Sequence, residues 1–576
     1  MADRLAASMG CKGVAMNGDS QPMSSTLAEL LRVTARQHGE RTALRVLASD
    51  SGATVGAVAV ELTWAAVDAA VDRVASGLLA AGVAPGDRVA LVLSNRPEFV
   101  TGYLGISRAG AVAVPLNVLL SAAELGPLMG QAGARVVLTE RGSAAAVRAA
   151  SPQATVLVAG EDSWPGSLGA TALAAEGATA PAAEGATAPA AEGATAPGAS
   201  GPAVPRTADD LAVLLFTAGT TGRPKAAMLS NRNLLANIDQ IAALDHAPVR
   251  SDDVVLGVLP LVHVFGLNAI LGSVVRSGAT LVLAARFDAV ASLAAVASQR
   301  VTVLPVAPPM LAAWLTRPEL SRATATVRLV VCGAAPLDPE LYRRWAAITA
   351  VPLFEGYGLT ECSPVVASTM VRGVPKAGST GRPLPGVTVR VLDAEGDDVD
   401  DGDTGELAVA GANVFGGYWP DGEGGQDARG FVLTGDMAYV DNDGDLVLVD
   451  RSRDLVVVSG FSVYPREVES VLAAHPQVGD VAVVAIPNVI TGESVKAFVV
   501  AAAGVTDPDP AELLAWCRQR LARFKCPSVI EVVADLPYSL AGRVNRALLR
   551  TRAVGLGAPE AGGLAHGGSG PVGVSS

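Results

Sequence analysis

The sequence predicts an α/β protein with layers of parallel strands and helices, and three observations lead to that prediction. Predicted helices alternate with short apolar runs, which is the pattern of parallel strands joined by helices. The chain has 576 residues, more than one hydrophobic core usually serves, so we expect more than one domain. After about residue 400 the sequence changes to acidic turns and short β-type runs, which indicates a C-terminal part of different architecture.

The alternation begins with a helix that Thr63 can cap and Gly82 can end. A ProGlyAsp turn at 85–87 then leads to the apolar run Val89–Leu93, which predicts a buried strand. The apolar residues of the helix recur at spacings of three and four: Val67, Val71, Val74 and Leu78.

Further predicted elements continue this pattern. In the N-terminal part they are a helix from about 98 to Ala109 and a short strand near 112–114. In the C-terminal part the predicted strands are Glu406–Ala410, Leu446–Val449, Leu455–Val458, 480–486 and 495–502, the predicted helices are 465–474 and 510–523, and a final loop follows.

The composition excludes several classes of protein. The formal net charge is −13 and the pI is about 5.0, so the electrostatic footprint of a nucleic-acid-binding protein is absent. The five cysteines are odd in number without metal-type spacing, and the five histidines are scattered, which argues against a disulfide framework and a His/Cys metal site. We expect a reducing compartment, and because the first 26 residues lack a secretory pattern, the predicted location is the cytoplasm.

Three segments need separate interpretation. Val254–Val275 has 22 residues without a formal charge, but Pro, His, Asn and Gly interrupt it, so a buried strand, a loop and a helix are favoured over a membrane span. Residues 174–197 repeat AlaAlaGluGlyAlaThrAlaPro three times, which predicts a disordered insertion at about 170–205. The Gly-rich tail at 553–576 is also predicted to be disordered.

The most informative segment is residues 217–225, ThrAlaGlyThrThrGlyArgProLys. Glycines let backbone N–H groups approach oxygen anions, threonines donate O–H bonds and a lysine supplies charge, a combination that suits a polyphosphate. The residues concerned are Thr217, Gly219, Thr220, Thr221, Gly222 and Lys225. The Gly-Lys-Ser/Thr ending of a Walker loop is missing. By itself this segment fits a polar hairpin turn equally well, so its neighbours must decide.

Six further motifs follow this loop in the chain. They are GlyAlaAlaPro (333–336), TyrGlyLeuThrGlu (357–361), ThrGlyAsp (434–436), AspArgSerArgAsp (450–454), SerGlyPheSerValTyrProArgGluValGlu (459–469) and GlyArgValAsnArg (542–546). In this order, from about residue 27 to 550, the chain resembles the adenylate-forming superfamily of acyl-CoA synthetases, luciferases and nonribosomal peptide adenylation domains. LeuProLeuValHisValPheGly (259–266), GluGlyTyrGlyLeuThrGlu (355–361) and ValTyrProArgGluValGlu (463–469) look most like fatty acyl-CoA ligases.

The resemblance implies both an architecture and a reaction. A large N-terminal AMP-binding domain would occupy 27–450, with layered α/β subdomains, and a hinge at 451–454 would precede a small mobile α+β domain at 455–552. A carboxylate would attack the α-phosphorus of ATP to give acyl-AMP and pyrophosphate, and the thiol of CoA would then take the acyl group. Both steps need charge neutralisation on phosphate more than a dedicated base. The implied partners are ATP, Mg²⁺, CoA and a medium- or long-chain fatty acid.

The resemblance also assigns roles around the nucleotide. Lys225 and the threonines of the loop would hold the β and γ phosphates, Thr360 would contact the α-phosphate, and Glu361 would carry Mg²⁺. Asp436 and Arg451 would bind the ribose, although Asp436 taken alone favours an Asx turn. The adenine would lie against Tyr357, framed by Gly333, Ala334, Ala335, Glu355 and Gly356.

Other residues would serve the acyl group and the thiol. His263 would lie beside the bound carboxylate, although a lone histidine in an apolar stretch is more often a hydrogen-bonded core residue. Arg543 would reach the reacting carboxylate and the α-phosphate. The thioester step would use Ser459, Gly460 and Phe461.

Several positions depart from the family pattern. The largest departure is Arg543, where the family has a lysine, and a planar guanidinium is not a conservative replacement for an ammonium group at a tightly packed centre. We therefore expect slow acyl-AMP formation. The smaller departures are Ala218 for serine, Ala226 for glycine, Ser230-Asn231 for Thr-His, and Ser459 and Ser462 for Gly and Asn.

The sequence favours an AMP-forming acyl-CoA ligase and predicts no nucleic acid and no specific protein as its partner. Three alternatives stay open at this point. One is an aryl or dicarboxylate CoA ligase, and another is an acyl-AMP ligase that feeds a carrier protein. The third is a non-catalytic homologue that binds a nucleotide or acyl-adenylate, which Arg543 and Ala218 motivate.

Overall fold

The computed structural model describes residues 24–48, 56–161, 163–164, 204–217, 224–245, 248–400, 402–451, 454, 456–458, 461–488, 492–521, 523–538 and 544–553. The predicted disordered insertion and tail fall almost entirely outside these ranges. Several predicted site residues also lie outside them, namely Gly219, Thr220, Thr221, Gly222, Ser459, Gly460 and Arg543. For Arg451 and Phe461 the backbone alone is described.

The described strands are β1 Thr42–Leu47, β2 Val58–Thr63, β3 Arg88–Val92, β4 Val112–Pro115, β5 Val136–Thr139, β6 Thr155–Val158, β7 Leu211–Thr217, β8 Lys225–Ser230, β9 Val254–Gly257, β10 Thr280–Leu283, β11 Val303–Val306, β12 Leu329–Cys332, β13 Leu353–Gly358, β14 Val365–Ser368, β15 Arg382–Pro383, β16 Val387–Leu392, β17 Gly405–Gly411, β18 Val432–Val440, β19 Leu446–Arg451, β20 Val456–Val458, β21 Phe461–Val463, β22 Val478–Asn488, β23 Gly492–Ala501 and β24 Val529–Val533.

The described α-helices are Leu27–His38, Trp64–Ala80, Pro97–Arg108, Ala122–Ala132, Arg141–Ala150, Asn231–Ala242, Ser273–Ser277, Ala289–Ser298, Pro308–Trp314, Leu320–Ala323, Pro339–Ile348, Pro465–Ala473, Pro510–Arg518 and Arg546–Ala553. A π-helix spans Phe265–Gly272, and 3₁₀ turns span Thr360–Cys362, Thr369–Arg372 and Arg523–Lys525. Among the described residues, no helix combines the length and the apolar character that crossing a bilayer requires.

Two large sheets confirm the predicted α/β class. The nine-stranded sheet has the order β15-β14-β13-β12-β11-β9-β10-β1-β2, and its strands from β13 to β1 are parallel. The six-stranded sheet has the order β6-β5-β3-β4-β7-β8 and ends in the antiparallel hairpin β7–β8. Helices connect the parallel strands, so their apolar runs are buried on both faces.

The first predicted helix forms as expected. Trp64–Ala80 is capped by Thr63, whose hydroxyl accepts the backbone N–H of Ala66 at 3.2 Å. The chain leaves the helix through Gly82, which has a φ of 83°. The four apolar residues that predicted this helix are all fully buried, because their spacing of three and four places them on one face: Val67, Val71, Val74 and Leu78.

The described chain divides into two compact units. The larger contains the described residues up to Thr434 together with Tyr439–Val447, and the smaller contains Gly435–Ala438 and the described residues from Leu448 onward. The larger unit with its α/β sheets and the smaller α+β unit agree with the predicted fold class. The predicted hinge at 451–454 stays a prediction.

The smaller unit corrects two expectations from the sequence. The helix predicted at 510–523 ends at Arg518, and the segment predicted as a final loop contains β24 and the helix Arg546–Ala553. Strand β24 adds in parallel to β23, and Val533 packs with Leu549 in a small core cluster. The strand forms because a neighbouring edge is available in the fold, which a run of only five residues does not reveal by itself.

Candidate active site

Four parallel strands of the nine-stranded sheet end at one edge, and predicted motifs lie at or after the ends of three of them. In the sheet β9, β11, β12 and β13 are consecutive neighbours. The segment after β9 carries His263, the segment after β12 begins at Gly333, and the end of β13 carries Glu355–Tyr357. Ligand sites of open α/β sheets lie outside the carboxyl ends of the strands. A ligand site is therefore expected at this edge of the sheet.

The two motifs expected to frame the adenine lie side by side. Cys332 pairs with Glu355 in the parallel register of β12 and β13. The next residues are close as well, since a Cβ added to Gly333 would lie 3.5 Å from the carbonyl oxygen of Gly356. Ala334 has a φ of 70°, a left-handed conformation that costs a residue other than glycine about 1–3 kcal/mol and is found at ligand sites.

Hydrogen bonds around Glu355 fix the strand that carries Tyr357. The buried Glu355 carboxylate accepts the backbone N–H of Leu337 at 3.2 Å, and the N–H of Glu355 donates to the Thr369 hydroxyl at 2.9 Å. Tyr357 is buried and Ala335 is half-buried. The motif after β12 is thus tied to the motif in β13.

A tight turn after β13 brings Glu361 back beside the strand. The N–H of Leu359 donates to the carbonyl of Pro364 at 3.0 Å, and a 3₁₀ turn spans Thr360–Cys362. A Cβ on Gly358 would lie 2.1 Å from that same carbonyl oxygen, so only glycine fits there. The turn leaves both Thr360 and Glu361 half-buried, with their side chains partly open to solvent.

The predicted phosphate loop closes the β7–β8 hairpin. Thr217 and Lys225 are direct partners across the two strands, and the hydroxyl of Thr217 lies 3.5 Å from the carbonyl oxygen of Lys225. The six residues at 218–223 lie outside the described chain. The hairpin fixes the two ends of the loop, so Thr217 and Lys225 leave the sheet together.

Tyr418 joins this hairpin to Glu361. The hydroxyl of Tyr418 donates a hydrogen bond of 2.6 Å to Oε1 of Glu361, and Nζ of Lys225 lies 5.1 Å from the centre of the Tyr418 ring. Burial first, and the charge of Glu361 second, raise the pKa of Tyr418, whereas a hydrogen bond with Thr217 acts in the opposite direction. The Tyr418 hydroxyl therefore stays protonated near neutral pH and remains a donor.

The segment around Tyr418 is anchored on both sides. The N–H of Phe415 donates to the carbonyl of Glu361 at 2.9 Å, and the N–H of Trp419 donates to the carbonyl of Ala226 at 2.8 Å. Gly417 has a φ of 117°, and a Cβ there would lie 2.1 Å from the carbonyl oxygen of Gly422. Only glycine allows this close approach, so Gly417 holds Tyr418 at its place between the turn and the hairpin.

Glu361 and Lys225 carry opposite charges, and no described residue forms an ion pair with either of them. Both residues are near Tyr418. A carboxylate oxygen is the donor type that Mg²⁺ prefers, and one carboxylate together with phosphate oxygens is a usual Mg²⁺ environment. Thr217, Lys225 and Glu361 therefore fit a magnesium–polyphosphate group.

The loop that carries His263 is tied to the six-stranded sheet by Asn95. The buried Asn95 amide donates to the carbonyl oxygens of Gly257 and Leu259 at 3.3 and 2.9 Å, and its Oδ1 accepts the N–H of Leu261 at 2.9 Å. The His263 side chain is exposed, which is contrary to a core histidine and places it on the accessible side of the loop.

A π-helix of eight residues follows His263 at Phe265–Gly272. Such helices are rare and are often found at functional sites. The Phe265 ring lies near the end of β12, because a Cβ on Gly333 would be 3.3 Å from Cε1 of that ring. The buried Asn268 amide donates to the carbonyl oxygens of Leu234 and Ser363 at 3.0 and 2.6 Å, which joins the π-helix to the segment after Glu361.

Three predicted site residues lie in the smaller unit. Asp436 is buried within β18, Arg451 is the last residue of β19, and Phe461 is the first residue of β21. Their roles toward the ribose and the thiol stay predictions, as do those of the site residues outside the described chain.

An acidic trio elsewhere in the larger unit is a different kind of cluster. Carboxylate oxygens of Asp441, Asp443 and Asp445 lie within 4.8 Å of one another, a spacing that a metal ion would also accept. Nζ of Lys376 already lies 2.6, 2.8 and 3.0 Å from these three carboxylates, and Arg372 contacts Asp445 at 2.7 Å. Protein cations satisfy the trio, so a metal is not needed there.

Sequence reasoning missed Tyr418 and Asn95 as members of the site. A signal for Tyr418 was present, because two glycines precede a Tyr-Trp pair in PheGlyGlyTyrTrp (415–419), a pattern that indicates a constrained turn with aromatic side chains. Asn95 has no such signal, since it is one polar residue after an apolar strand.

Comparison with protein families and known proteins adds independent findings. A family model described as AMP-binding enzyme matches residues 31–419, and a second, described as AMP-binding enzyme C-terminal domain, matches residues 467–543. A feruloyl-CoA synthase of Amycolatopsis sp is 34% identical over 500 residues, which are 85% of this chain and 94% of the relative. A long-chain-fatty-acid–CoA ligase of Bacillus subtilis (strain 168) is 30% identical over 487 residues, which are 82% of this chain and 87% of the relative.

The chain is also similar in fold and sequence to enzymes whose structures have been solved. The crystal structure of ATP-bound MatB from Rhodopseudomonas palustris has a TM-score of 0.79 and 32% identity, and the match covers 92% of this chain and 99% of that chain. A benzoate CoA ligase from Burkholderia xenovorans LB400 has a TM-score of 0.74 and 28% identity, and the match covers 92% of this chain and all of that one, 100%.

Proposed function

The chain belongs to the AMP-binding enzyme family, and from this premise we propose that it activates a medium- or long-chain fatty acid and transfers the acyl group to CoA. The reaction class itself is that of an AMP-forming acid–thiol ligase, which acts on a carboxylic acid with ATP, Mg²⁺ and CoA. The proposal concerns the identity of the acid and the residues that perform each step.

The reaction has two balanced steps. A carboxylate oxygen attacks the α-phosphorus of ATP, the bond to the β-phosphate oxygen breaks, and pyrophosphate leaves with its electron pair. The thiol of CoA then attacks the acyl carbon, its proton is lost, and AMP leaves. No covalent bond to the protein is needed, and burial raises the pKa of the described cysteines, which makes them poor nucleophiles.

The larger unit supplies the proposed nucleotide site. Lys225 and the loop residues Thr217, Gly219, Thr220, Thr221 and Gly222 would hold the β and γ phosphates. Thr360 would donate to the α-phosphate, and Glu361 would hold Mg²⁺, which supplies neutralisation of charge on the phosphate oxygens. The adenine would lie against Tyr357, framed by Gly333, Ala334, Ala335, Glu355 and Gly356. The observation that supports this assignment is that Lys225 and Glu361 both lie against Tyr418 while neither forms an ion pair with a described residue.

Residues of the smaller unit would complete the two steps. Asp436 and Arg451 would hold the ribose hydroxyls, and Arg543 would reach the reacting carboxylate during adenylation. Ser459, Gly460 and Phe461 would serve the thiol after a rotation about the hinge at 451–454, so that the small domain at 455–552 presents a different surface in each step.

The residues around His263 support the proposal that the substrate is a fatty acid. Val254–Val275 has no Asp, Glu, Lys or Arg, so most of the side chains that a substrate group would meet there are apolar. The first cation beyond it, Arg276, pairs with Asp239 at 3.0 Å. A second carboxylate on the substrate would find no lysine or arginine in this segment, which disfavours a dicarboxylic acid. His263, exposed at the start of the π-helix, would lie beside the single carboxylate.

An aromatic acid is the second candidate. The similarity to a feruloyl-CoA synthase, at 34% identity, favours it, and an apolar pocket accepts an aromatic ring as well as an alkyl chain. For location we propose the cytoplasm, because Cys332, Cys362 and Cys517 are free thiols, as expected in a reducing compartment.

The test is the rate of pyrophosphate release with ATP, Mg²⁺ and CoA across decanoate, palmitate, ferulate, benzoate and malonate. We expect kcat/KM to be highest with decanoate or palmitate, at least about tenfold above ferulate, which corresponds to about 1.4 kcal/mol of preference. A faster reaction with ferulate or benzoate would establish the aryl alternative instead. Nucleotide binding without pyrophosphate release for any acid would favour the non-catalytic alternative.

A further inference from the structure

We propose that Tyr418 is a positioning residue that orients the carboxylate of Glu361 for Mg²⁺ and keeps Lys225 from pairing with that carboxylate. The proposal rests on the proposed roles of Glu361 and Lys225 and goes beyond them by assigning their arrangement to one side chain. Tyr418 would contact neither substrate nor metal and would act through its two neighbours.

The hydroxyl of Tyr418 would orient the carboxylate of Glu361. It donates to Oε1 of Glu361 at 2.6 Å and so leaves the second carboxylate oxygen of Glu361 to meet a ligand. A phenol is a neutral donor, so it fixes the carboxylate without cancelling its negative charge, whereas an Arg or Lys partner would cancel it. Groups that hold a metal ligand through a hydrogen bond commonly change metal affinity by about 10–100-fold when they are removed.

The ring of Tyr418 would keep the ammonium group of Lys225 from pairing with the carboxylate of Glu361. Nζ of Lys225 lies 5.1 Å from the ring centre, whereas Glu361 is bound at the hydroxyl, and no ion pair between Lys225 and Glu361 is found in the described chain. The ring attracts the ammonium group through its face, which holds Lys225 at the hairpin without an anionic partner. Phe415 packs edge-on against the same ring, with centroids 5.0 Å apart, and prevents it from turning away.

Backbone hydrogen bonds fix the position of Tyr418 relative to Lys225 and Glu361. Tyr418 forms an isolated β-bridge with Ala227, two residues after Lys225 in the sequence, and Met228 donates its N–H to the carbonyl of Gly417 at 3.1 Å. The preceding Phe415 donates its N–H to the carbonyl of Glu361 itself. Tyr418 is thus hydrogen-bonded, through its segment, to both elements whose charges it would separate.

The experiment measures ATP affinity by calorimetry with and without Mg²⁺ in the full chain, because the ratio of the two affinities reports the metal contribution. The variant Tyr418→Phe keeps the ring and removes only the hydroxyl. We expect this variant to lower the ratio about tenfold while ATP affinity without Mg²⁺ stays within about twofold of the unmodified chain. Tyr418→Leu should also weaken ATP binding without Mg²⁺, because Lys225 loses the ring that holds it.

Two controls separate this role from a general loss of structure. Trp419→Phe removes the hydrogen bond from Trp419 Nε1 to the carbonyl of Gln131, next to Tyr418, and should leave the Mg²⁺ ratio unchanged. Combining Tyr418→Phe with Glu361→Gln should lower the ratio no further than Glu361→Gln alone, because the hydroxyl acts through that carboxylate.

The outcomes distinguish the proposal from the function on which it rests. A normal Mg²⁺ ratio in Tyr418→Phe together with a reduced ratio in Glu361→Gln would overturn the role of Tyr418 and keep the metal role of Glu361. An unchanged ratio in Glu361→Gln would overturn both roles. Equal losses in Tyr418→Phe and Trp419→Phe would mean that the segment is merely structural, which would also overturn the proposal.

Discussion

An acidic trio and the single carboxylate of Glu361, both in the larger unit, each lie near a lysine, and they differ in whether the opposite charges form ion pairs. Lys376 lies within 3.0 Å of the carboxylates of Asp441, Asp443 and Asp445. Lys225 instead contacts the Tyr418 ring and Glu361 the Tyr418 hydroxyl, and no ion pair of either is found in the described chain. Paired charges stabilise a turn, whereas charges held apart keep their interaction energy for a ligand. The spacing of acidic residues in the sequence does not reveal this difference.

The largest expected effect comes from the carboxylate held apart. Glu361→Gln keeps the shape of the side chain and removes its charge, so pyrophosphate formation should fall about 10²–10³-fold, the usual cost of losing one electrostatic contact in a transition state. Stopped assays of pyrophosphate release at saturating ATP measure this rate. Asp443→Asn is the matched control from the paired group, and it should keep the rate within about twofold. A similar fall in both variants would end the distinction between the two groups.

Lys225→Ala is expected to have the next largest effect. Losing one charge-assisted contact to phosphate costs roughly 1.5–3 kcal/mol, or about ten- to a hundredfold in ATP affinity. Calorimetry with ATP measures the affinity, and the unfolding temperature checks the fold. The matched control is Arg232→Ala, which removes an exposed cation that pairs with Asp209. Unchanged ATP binding in Lys225→Ala would remove the hairpin from the site.

Arg543 is a third cation to compare, and its proposed role is to reach the reacting carboxylate and the α-phosphate, where the family has a lysine. Its planar guanidinium is wider than the compact ammonium group of lysine and presents its charge at different positions, and a misplacement of about 1 Å costs on the order of a hundredfold in rate. Arg543→Lys should therefore raise the rate of acyl-AMP formation about tenfold or more. Acyl-CoA formation from supplied acyl-AMP should be nearly equal in the two proteins. A fast natural chain and an inactive Arg543→Lys variant would show that arginine suits this site.

Lys376→Met tests the paired group, where the effect should fall on stability. The lysine contacts three carboxylates, of which that of Asp445 is fully buried, and charged hydrogen bonds of this kind contribute on the order of 1.5–3 kcal/mol. Chemical denaturation should show a loss of about that size, with ATP affinity unchanged. Arg429→Ala, which removes an exposed pair with Asp427, is the control for loss of a surface cation. An unchanged free energy of unfolding would mean that the trio is not a stabilising cluster.

The smallest effect is the pH dependence of that stability. Burial would raise the pKa of Asp441, but hydrogen bonds and the charge of Lys376 lower it, and Lys376 likewise lowers the pKa of Asp443. Both pKa values lie below the ordinary value near 3.8, so their contribution is present above about pH 4 and is lost as pH falls below it. Denaturation between pH 5 and 3 should show a smaller decline in Lys376→Met than in the unmodified chain. Equal declines would contradict the assignment to this lysine.

Local signals predicted the parts of the molecule that local forces decide. The helix capped by Thr63 follows its apolar spacing, and the ends of the predicted phosphate loop, Thr217 and Lys225, are partners because a hairpin sets their register. The motif after β12 and the motif in β13 meet because the two strands are parallel neighbours. The family resemblance implied that these motifs lie together, whereas the α/β pattern alone did not predict that the two strands pair.

Local sequence signals did not predict the contacts between distant parts of the chain. Tyr418 meets a carboxylate 57 positions earlier, and Asn95 binds a loop more than 160 positions later. Such contacts depend on the packing of whole elements, as does the formation of β24 beside β23. The sequence predicted a helix after His263 but not that it is a π-helix, because its pattern of apolar residues differs little from that of an α-helix.

The most direct test of the distinction between held-apart and paired charges measures two quantities on two variants side by side. Glu361→Gln and Lys376→Met are each assayed for pyrophosphate release with decanoate and for the free energy of unfolding. We predict a crossed result, in which Glu361→Gln loses at least about a hundredfold in rate and keeps its stability, while Lys376→Met keeps its rate and loses on the order of 1.5–3 kcal/mol. Rate and stability falling together in both variants would contradict the account.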